Sequence, residues 1–195
     1  MSLTIRRLVH HELQSAIDDL ARLRIEVFAA WPYLYRGDLD YEATYLREFL
    51  AARDSVLVAA YDGKRIVGAA TASPMSAQKA EIRGPFETIG RDTSDIFYFG
   101  ESVLLPEYRG QGVGHAFFDQ REAHAANCGA RSTAFVAVIR PDEHPLRPHD
   151  YVPLHAFWKR RGYASIDGLS TTLAWQDIGE EEETLKSMQF WVRGQ

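Results

Sequence analysis

The sequence predicts a layered α/β (α+β) domain built on a mixed, mostly antiparallel sheet. Three observations carry this. Strand-like and helical runs follow in the order strand, two helices, three strands, helix, strand, helix, two strands, which gives about four helices to cover the sheet. A glycine-rich loop joins the most apolar strand to an alanine-rich helix. The 195 residues are 46% hydrophobic and 25% charged, enough for one core without disulfides, so residues 1–195 read as a single domain.

The elements follow in chain order. Leu3 to Val9 alternates as an opening strand. His10 to Ala30 carries Leu13, Ile17, Leu20, Leu23 and Val27 near the helical period. Trp31 to Tyr35 breaks that helix, and Gly37-Asp38 leads into a second one from about Tyr41 to Ala52. Ser55 to Tyr61 and Arg65 to Ala72 are strands joined at Asp62-Gly63, a hairpin signal. Pro74 to Ser94 shows no period and reads as a lid or substrate loop. Ile96 to Leu105 is apolar enough for a central strand, with a bulge or bend expected at Gly100. Gly112 to Cys128 is a helix that Gly129 can stop, and Ser132 to Ile139 reads as a buried strand. Irregular chain from Arg140 to Tyr151 precedes a short helix with Pro153 near its first turn and Gly162 past its end. Strands at about Leu169 to Trp175 and Lys186 to Val192 close the chain around a solvated acidic turn, Glu180 to Glu183.

Composition excludes several classes. A net charge of -5 argues against nucleic-acid binding, which favours basic surfaces. One cysteine, Cys128, allows no intrachain disulfide and is expected to be a packing residue rather than a nucleophile. With no leader-like segment and no long apolar span, the expected location is cytoplasmic, away from membranes. His144, His149 and the acids Asp142, Glu143 and Asp150 lack ligand spacing, so no metal is expected.

The chemistry concentrates at Val103 to Gly114. Glycines at 110, 112 and 114 let a backbone approach a ligand. The helix that begins there presents unpaired N–H groups and the positive end of its dipole. Such a junction cradles phosphate oxygens, and Arg109 adds a fixed positive charge. The Gly-Lys-Ser/Thr of a P-loop is absent, and the glycines are spaced GxGxG rather than the GxGxxG of a dinucleotide fold.

The run Pro106-Glu107-Tyr108-Arg109-Gly110-Gln111-Gly112-Val113-Gly114 resembles the acyl-CoA signature of the GCN5-related N-acetyltransferase (GNAT) family. Phe157-Trp158-Lys159-Arg160-Arg161-Gly162-Tyr163 is similar to that family's last short helix, and the order of elements matches from Leu3 to Val192. The resemblance implies a sheet whose fourth and fifth strands splay apart around acetyl-CoA. It implies that main-chain groups of Val103, Leu104 and Leu105 pair with the pantetheine arm. It further implies that Arg109, Gly110, Gln111, Gly112, Val113, Gly114 and His115 hold the pyrophosphate, with Phe157 and Trp158 on the far wall.

The implied activity is transfer of an acetyl group to a small-molecule or peptide amine within a ternary complex. Such transfer needs a base for the amine and benefits from an acid for the thiolate. Glu101 is the base candidate; its competing readings are a ligand for a cationic substrate and a partner for an arginine. Trp158 stands where the family often has an acidic tyrosine, and an indole cannot replace it, so Tyr151 is the acid candidate. Trp31, Tyr33 and Tyr35 either border the acceptor or form a local packing cluster. The alternative function is a non-catalytic acyl-CoA-binding regulatory module, and a homodimer is the expected assembly if there is one.

Overall fold

The computed structural model describes residues 3–8 and 10–194. A seven-stranded sheet runs through it in the order β1-β2-β3-β4-β5-β7-β6. The strands are β1 (Thr4–Arg7), β2 (Val56–Asp62), β3 (Arg65–Pro74), β4 (Ile96–Leu104), β5 (Ser132–Val138), β6 (Ala164–Trp175) and β7 (Thr184–Gly194). Every pairing is antiparallel except β4 with β5. Helices α1 (His10–Phe28) and α2 (Leu39–Ala51) cover one face, and α4 (Val113–Asn127) packs on β1 to β4 from the other. Among the described residues no helix is long and apolar enough to cross a membrane.

The Pro74–Ser94 segment departs from the loop expected of it. A short 3-10 turn leads into a fifth helix, α3 (Ala80–Thr88), with α5 (His155–Arg160) the last. Gly84 and Pro85 hide α3 from a propensity reading. Burial of Met75, Ile82 and Phe86 with Ile96 and Phe190 stabilises it instead, and the Thr171 hydroxyl of β6 donates to Glu81 O. Cys128 also departs from expectation: it is exposed at the end of α4 rather than packed. β6 begins earlier than its apolar pattern suggests. Its pairing with β7 shifts between Ser165 and Ser170, and the Gln189 amide fills the gap by donating to Ile166 O and Leu169 O.

Two irregularities of β4 position everything that follows. β4 and β5 pair only at Ile96–Ser132, Phe97–Thr133 and Tyr98–Ala134, after which the strands diverge. Against β3, Ala70 faces Ser102 while Ala72 faces Phe99, so β4 holds one extra residue at Gly100–Glu101. Side chains alternate along a strand, and an extra residue reverses the alternation beyond it. Phe97 and Phe99 point to the α4 face, against His124 and Phe118. The bulge turns Glu101 to the α1–α2 face and leaves Ser102 on the α4 face.

Candidate active site

On the α1–α2 face, Glu101 enters a buried charge cluster. Ile17, Leu20, Ala21 and Phe28 share the inward stripe of α1, and Arg24 lies on that same stripe. Glu42 sits likewise one turn before Leu46 on α2. Arg24 bridges the two acids, bonding Glu42 through Nε and lying 2.8 Å from Glu101 Oε1 through Nη1. Burial alone would lower the Arg24 pKa, but Glu101, Tyr45 and Glu42 together raise it, so the guanidinium stays charged.

Tyrosines ring this cluster. The Tyr45 hydroxyl donates to Glu101 Oε2 at 3.3 Å, and Arg24 stacks over the Tyr45 ring at 4.4 Å. Burial pushes Tyr33 up to about 12, with Tyr151 and Glu101 adding to the rise and Arg24 opposing it. Burial also raises Tyr98, helped by Tyr33 and Glu101, and raises Tyr35, helped by Glu42. The hydroxyls of Tyr33, Tyr45 and Tyr98 therefore share one electrostatic neighbourhood with Glu101, and Tyr151 adjoins it through Tyr33.

The aromatic loop after α1 is held from outside. Arg140, just past β5, donates to Pro32 O at 2.8 Å and to Tyr33 O at 2.7 Å. It also grips the buried Asp177 with two bonds of 2.6 and 3.0 Å, and Lys186 approaches Asp177 at 3.3 Å. The Trp175 indole donates to the same Tyr33 carbonyl, and Tyr33 leans on Phe28. Trp31 packs under the 140–151 loop, 4.9 Å from the His144 ring and 5.9 Å from Tyr151. Within that loop Asp142 pairs with Arg147.

On the opposite face, α4 starts at Gly112 in the left-handed region (φ 82), with Gly110 also left-handed (φ 75). A Cβ at either glycine would meet nothing within 4 Å, so backbone conformation and not crowding requires them. Gly114 is different: its φ is ordinary, and a Cβ there would only touch Phe157 at 3.7 Å. The helical ladder opens with Ala116 N donating to Gly112 O, which leaves the preceding amides without helical partners. His115 is exposed, its Nδ1 3.2 Å from Arg161 Nη1. Phe157 covers this turn, against His115 and Phe118. Trp158 points elsewhere, wedged between Phe135 and Trp191.

The strand edge leading to this turn differs in which main-chain groups already have partners. Leu105 N donates to Val67 O, so its N–H is not free for an added strand, and Leu105 O already accepts from Tyr108 N. By alternation the Val103 main chain also faces β3, and its carbonyl lies against Gly68. The main-chain groups of Leu104 and Ser102 face the open gap instead, and Arg109 reaches the Leu104 carbonyl at 3.5 Å.

Residues that sequence reasoning missed lie on both faces of the sheet. Arg24 and Glu42 are separated by 18 positions, with no shared motif. Arg121 is fully buried on the α4 stripe with Phe117 and Ala125. The signal in each case is a charged residue at a helical core position. Arg121 Nη1 donates to Thr71 O at 3.3 Å and Glu101 O at 3.1 Å, carbonyls that the bulge takes out of the ladder.

A model of the acetyltransferase (GNAT) family matches residues 24–163. No curated protein matches. Among solved structures, an aminoglycoside 6'-N-acetyltransferase complexed with coenzyme A shares 16% identity at a TM-score of 0.62, covering 98% of this chain and 96% of that one. The GNAT-family acetyltransferase from Streptococcus pneumoniae shares 12% identity at a TM-score of 0.61, with 100% of both chains covered. The Salmonella typhimurium protein yncA, solved with its cofactor acetyl-CoA, shares 10% identity at a TM-score of 0.60 over 100% of this chain and 94% of that one.

Proposed function

This chain belongs to the acetyltransferase (GNAT) family, and we propose that it moves the acetyl group of acetyl-CoA directly onto the amine of a small molecule or peptide. The observation that carries this reading is the early end of β4–β5 pairing, which opens a gap between the α4 N-terminus and the Glu101 cluster. The cradle fits a pyrophosphate: Gly110 and Gly112 present left-handed backbone to open space at the positive end of a helix.

Arg109 and the first amides of α4 would hold the phosphates, and the Leu104 and Ser102 main chains would pair with the pantetheine arm. Bound there, the cofactor supplies an acyl thioester activated toward amines. Arg24 lies 2.8 Å from Glu101 Oε1 and sets a buried positive charge beside the carboxylate that would act as base. The proton of an arriving amine would reach Glu101 through the Tyr45 hydroxyl, which already donates to that carboxylate. Tyr33 and Tyr151 would line the acceptor side, and Tyr151 remains protonated at neutral pH because burial raises its pKa against the pull of Arg147.

One feature favours the non-catalytic alternative: both Glu101 oxygens already have partners, and its side chain is only 5% exposed. Acetyl-CoA titration monitored by thermal shift, followed by an amine panel with Glu101→Gln, separates the readings. Saturation at one hundred times Kd should stabilise the fold by about 2.7 kcal/mol. The transferase reading expects Glu101→Gln to lose turnover while it still binds acetyl-CoA. Binding by wild type without turnover across the panel would favour the regulatory module, and no binding would remove both.

A further inference from the structure

Ser102 and Arg121 form a unit that neither the glycine loop nor the Glu101 cluster explains. Ser102 is the first residue after the bulge, exposed on the α4 face where β4 no longer has β5 beside it. Arg121 Nη2 donates to its Oγ at 2.8 Å. A guanidinium only donates, so Ser102 Oγ is the acceptor, and among the described residues no group takes the hydroxyl proton in turn. Arg121 is itself locked: its other nitrogens bond Phe117 O, Thr71 O and Glu101 O, and its plane lies 4.3 Å from the Phe99 ring and 4.9 Å from Phe118.

Burial lowers the Arg121 pKa to about 10, with Tyr163, Glu101 and Glu122 opposing that fall and Arg161 adding to it, so the group is still a cation at neutral pH. Among the described residues no carboxylate bonds it; the Glu101 carboxylate points to the opposite face. A hydroxyl that accepts from a buried cation is polarised and becomes a stronger donor through its own O–H. The strand places that O–H at the open edge, between the α4 cradle and the point where β4 and β5 part.

We propose that Ser102 is a catalytic hydrogen-bond donor to the departing sulfur, and that Arg121 is the positioning residue that fixes and polarises it. This rests on the acetyl-CoA reading above. Ser102 donates as the new nitrogen–carbon bond forms and the carbon–sulfur bond breaks, with the electron pair of that bond remaining on sulfur. The hydroxyl keeps its proton. The amine's proton leaves on the α1–α2 side, and water supplies the one the thiol finally carries. The role left open by Trp158, packed away between Phe135 and Trp191, is thereby filled from β4.

The test is the pH dependence of CoA and acetyl-CoA affinity, measured by calorimetry on the full-length wild type, Ser102→Ala, Ser102→Thr and Arg121→Lys. CoA has an ionisable thiol and acetyl-CoA does not, so their affinity ratio reports stabilisation of the thiolate without any turnover. Wild type should bind CoA progressively tighter relative to acetyl-CoA as pH rises. Ser102→Ala should weaken the thiolate form about tenfold more than it weakens acetyl-CoA, the order of one charge-assisted hydrogen bond, and should lower the melting temperature because Arg121 Nη2 loses its acceptor. Ser102→Thr keeps the hydroxyl and should restore the ratio; Arg121→Lys should resemble Ser102→Ala. A Ser102→Ala protein with the wild-type ratio at every pH overturns the proposal and leaves the acetyl-CoA reading standing. Failure of wild type to bind acetyl-CoA overturns both.

Discussion

Replacing Arg140 by alanine removes four hydrogen bonds at one stroke: two to Asp177 and one each to the carbonyls of Pro32 and Tyr33. The Arg140 side chain is 9% exposed and that of Asp177 6%, so this is a buried pair whose loss strands a carboxylate. Breaking such pairs costs about 3–5 kcal/mol; Lys186 stays 3.3 Å from Asp177, which argues for the lower end, about 3 kcal/mol. For a chain of this length that corresponds to a fall in Tm of roughly 6–12 °C. The pH dependence gives the assay a second, independent sign. Burial raises the Asp177 pKa, but the Arg140 bonds, with Lys186, lower it further, for a net fall below the usual carboxylate range. A depressed folded-state pKa gives stability that is present above the unfolded value, about 4, and is lost as pH falls through the folded one. The Tm gap between wild type and Arg140→Ala should therefore be widest at neutral pH and narrow below about pH 4. Thermal melts followed by circular dichroism at neutral and acid pH measure both. A neutral-pH drop smaller than about 2 °C, or a gap that does not narrow in acid, would refute the account of this clamp. Because Arg140 also holds the Tyr33 main chain, the variant should raise the acceptor KM while acetyl-CoA affinity stays as it was.

Two other perturbations have definite expectations. Gly112→Ala forces an L-residue to φ 82 and should destabilise by about 1–2 kcal/mol, weakening acetyl-CoA binding as well; an unchanged Tm and affinity would mean the cradle does not need the left-handed residue. Tyr33, Tyr45 and Tyr98 have pKa values raised chiefly by burial, so their contribution to stability is intact below about pH 10 and lost above it. Alkaline spectrophotometric titration should show these tyrosines ionising only with cooperative unfolding, and early reversible ionisation of all nine tyrosines would contradict their burial.

Most of the strand and helix order is legible because each element has a clear period. The glycine loop is legible because its conformational demand is local: Gly110 and Gly112 need left-handed backbone whatever surrounds them. The α3 helix is not, since Gly84 and Pro85 oppose it and only tertiary burial of Ile82 and Phe86 decides in its favour. The charge cluster is invisible to motif reasoning because Arg24, Glu42 and Glu101 come from three distant elements. Its trace in the sequence is indirect, a charge placed on an otherwise apolar helical stripe. Arg24, Glu42 and Arg121 all have that placement; Arg24 and Arg121 reach the β4 bulge directly and Glu42 through Arg24. Arg24 and Glu42 lie on one side of it and Arg121 on the other, so an anionic cluster faces the α1–α2 side while a buried cation faces α4.

That convergence makes Gly100 the residue on which the site's geometry turns, and its role can be isolated. A Cβ at Gly100 would lie 2.6 Å from Thr71 Oγ1 and 3.0 Å from the Phe49 ring. Its φ is ordinary, so alanine is opposed by space alone. Thr71 Oγ1 also accepts from Glu101 N at 3.3 Å, so relieving the clash by rotating Thr71 surrenders that bond. Gly100→Ala should destabilise by about 1–3 kcal/mol. Thr71→Ala alone removes a buried hydroxyl and its bond to Glu101 N, a loss of about 1 kcal/mol. In the double variant the colliding oxygen is already gone, so the two effects should sum to less than the separate costs, with a coupling of about 0.5–3 kcal/mol. Urea denaturation of the four proteins in the cycle measures this coupling directly. Simple additivity would mean that the bulge accommodates the methyl elsewhere, and that Gly100 is not what turns Glu101 toward Arg24.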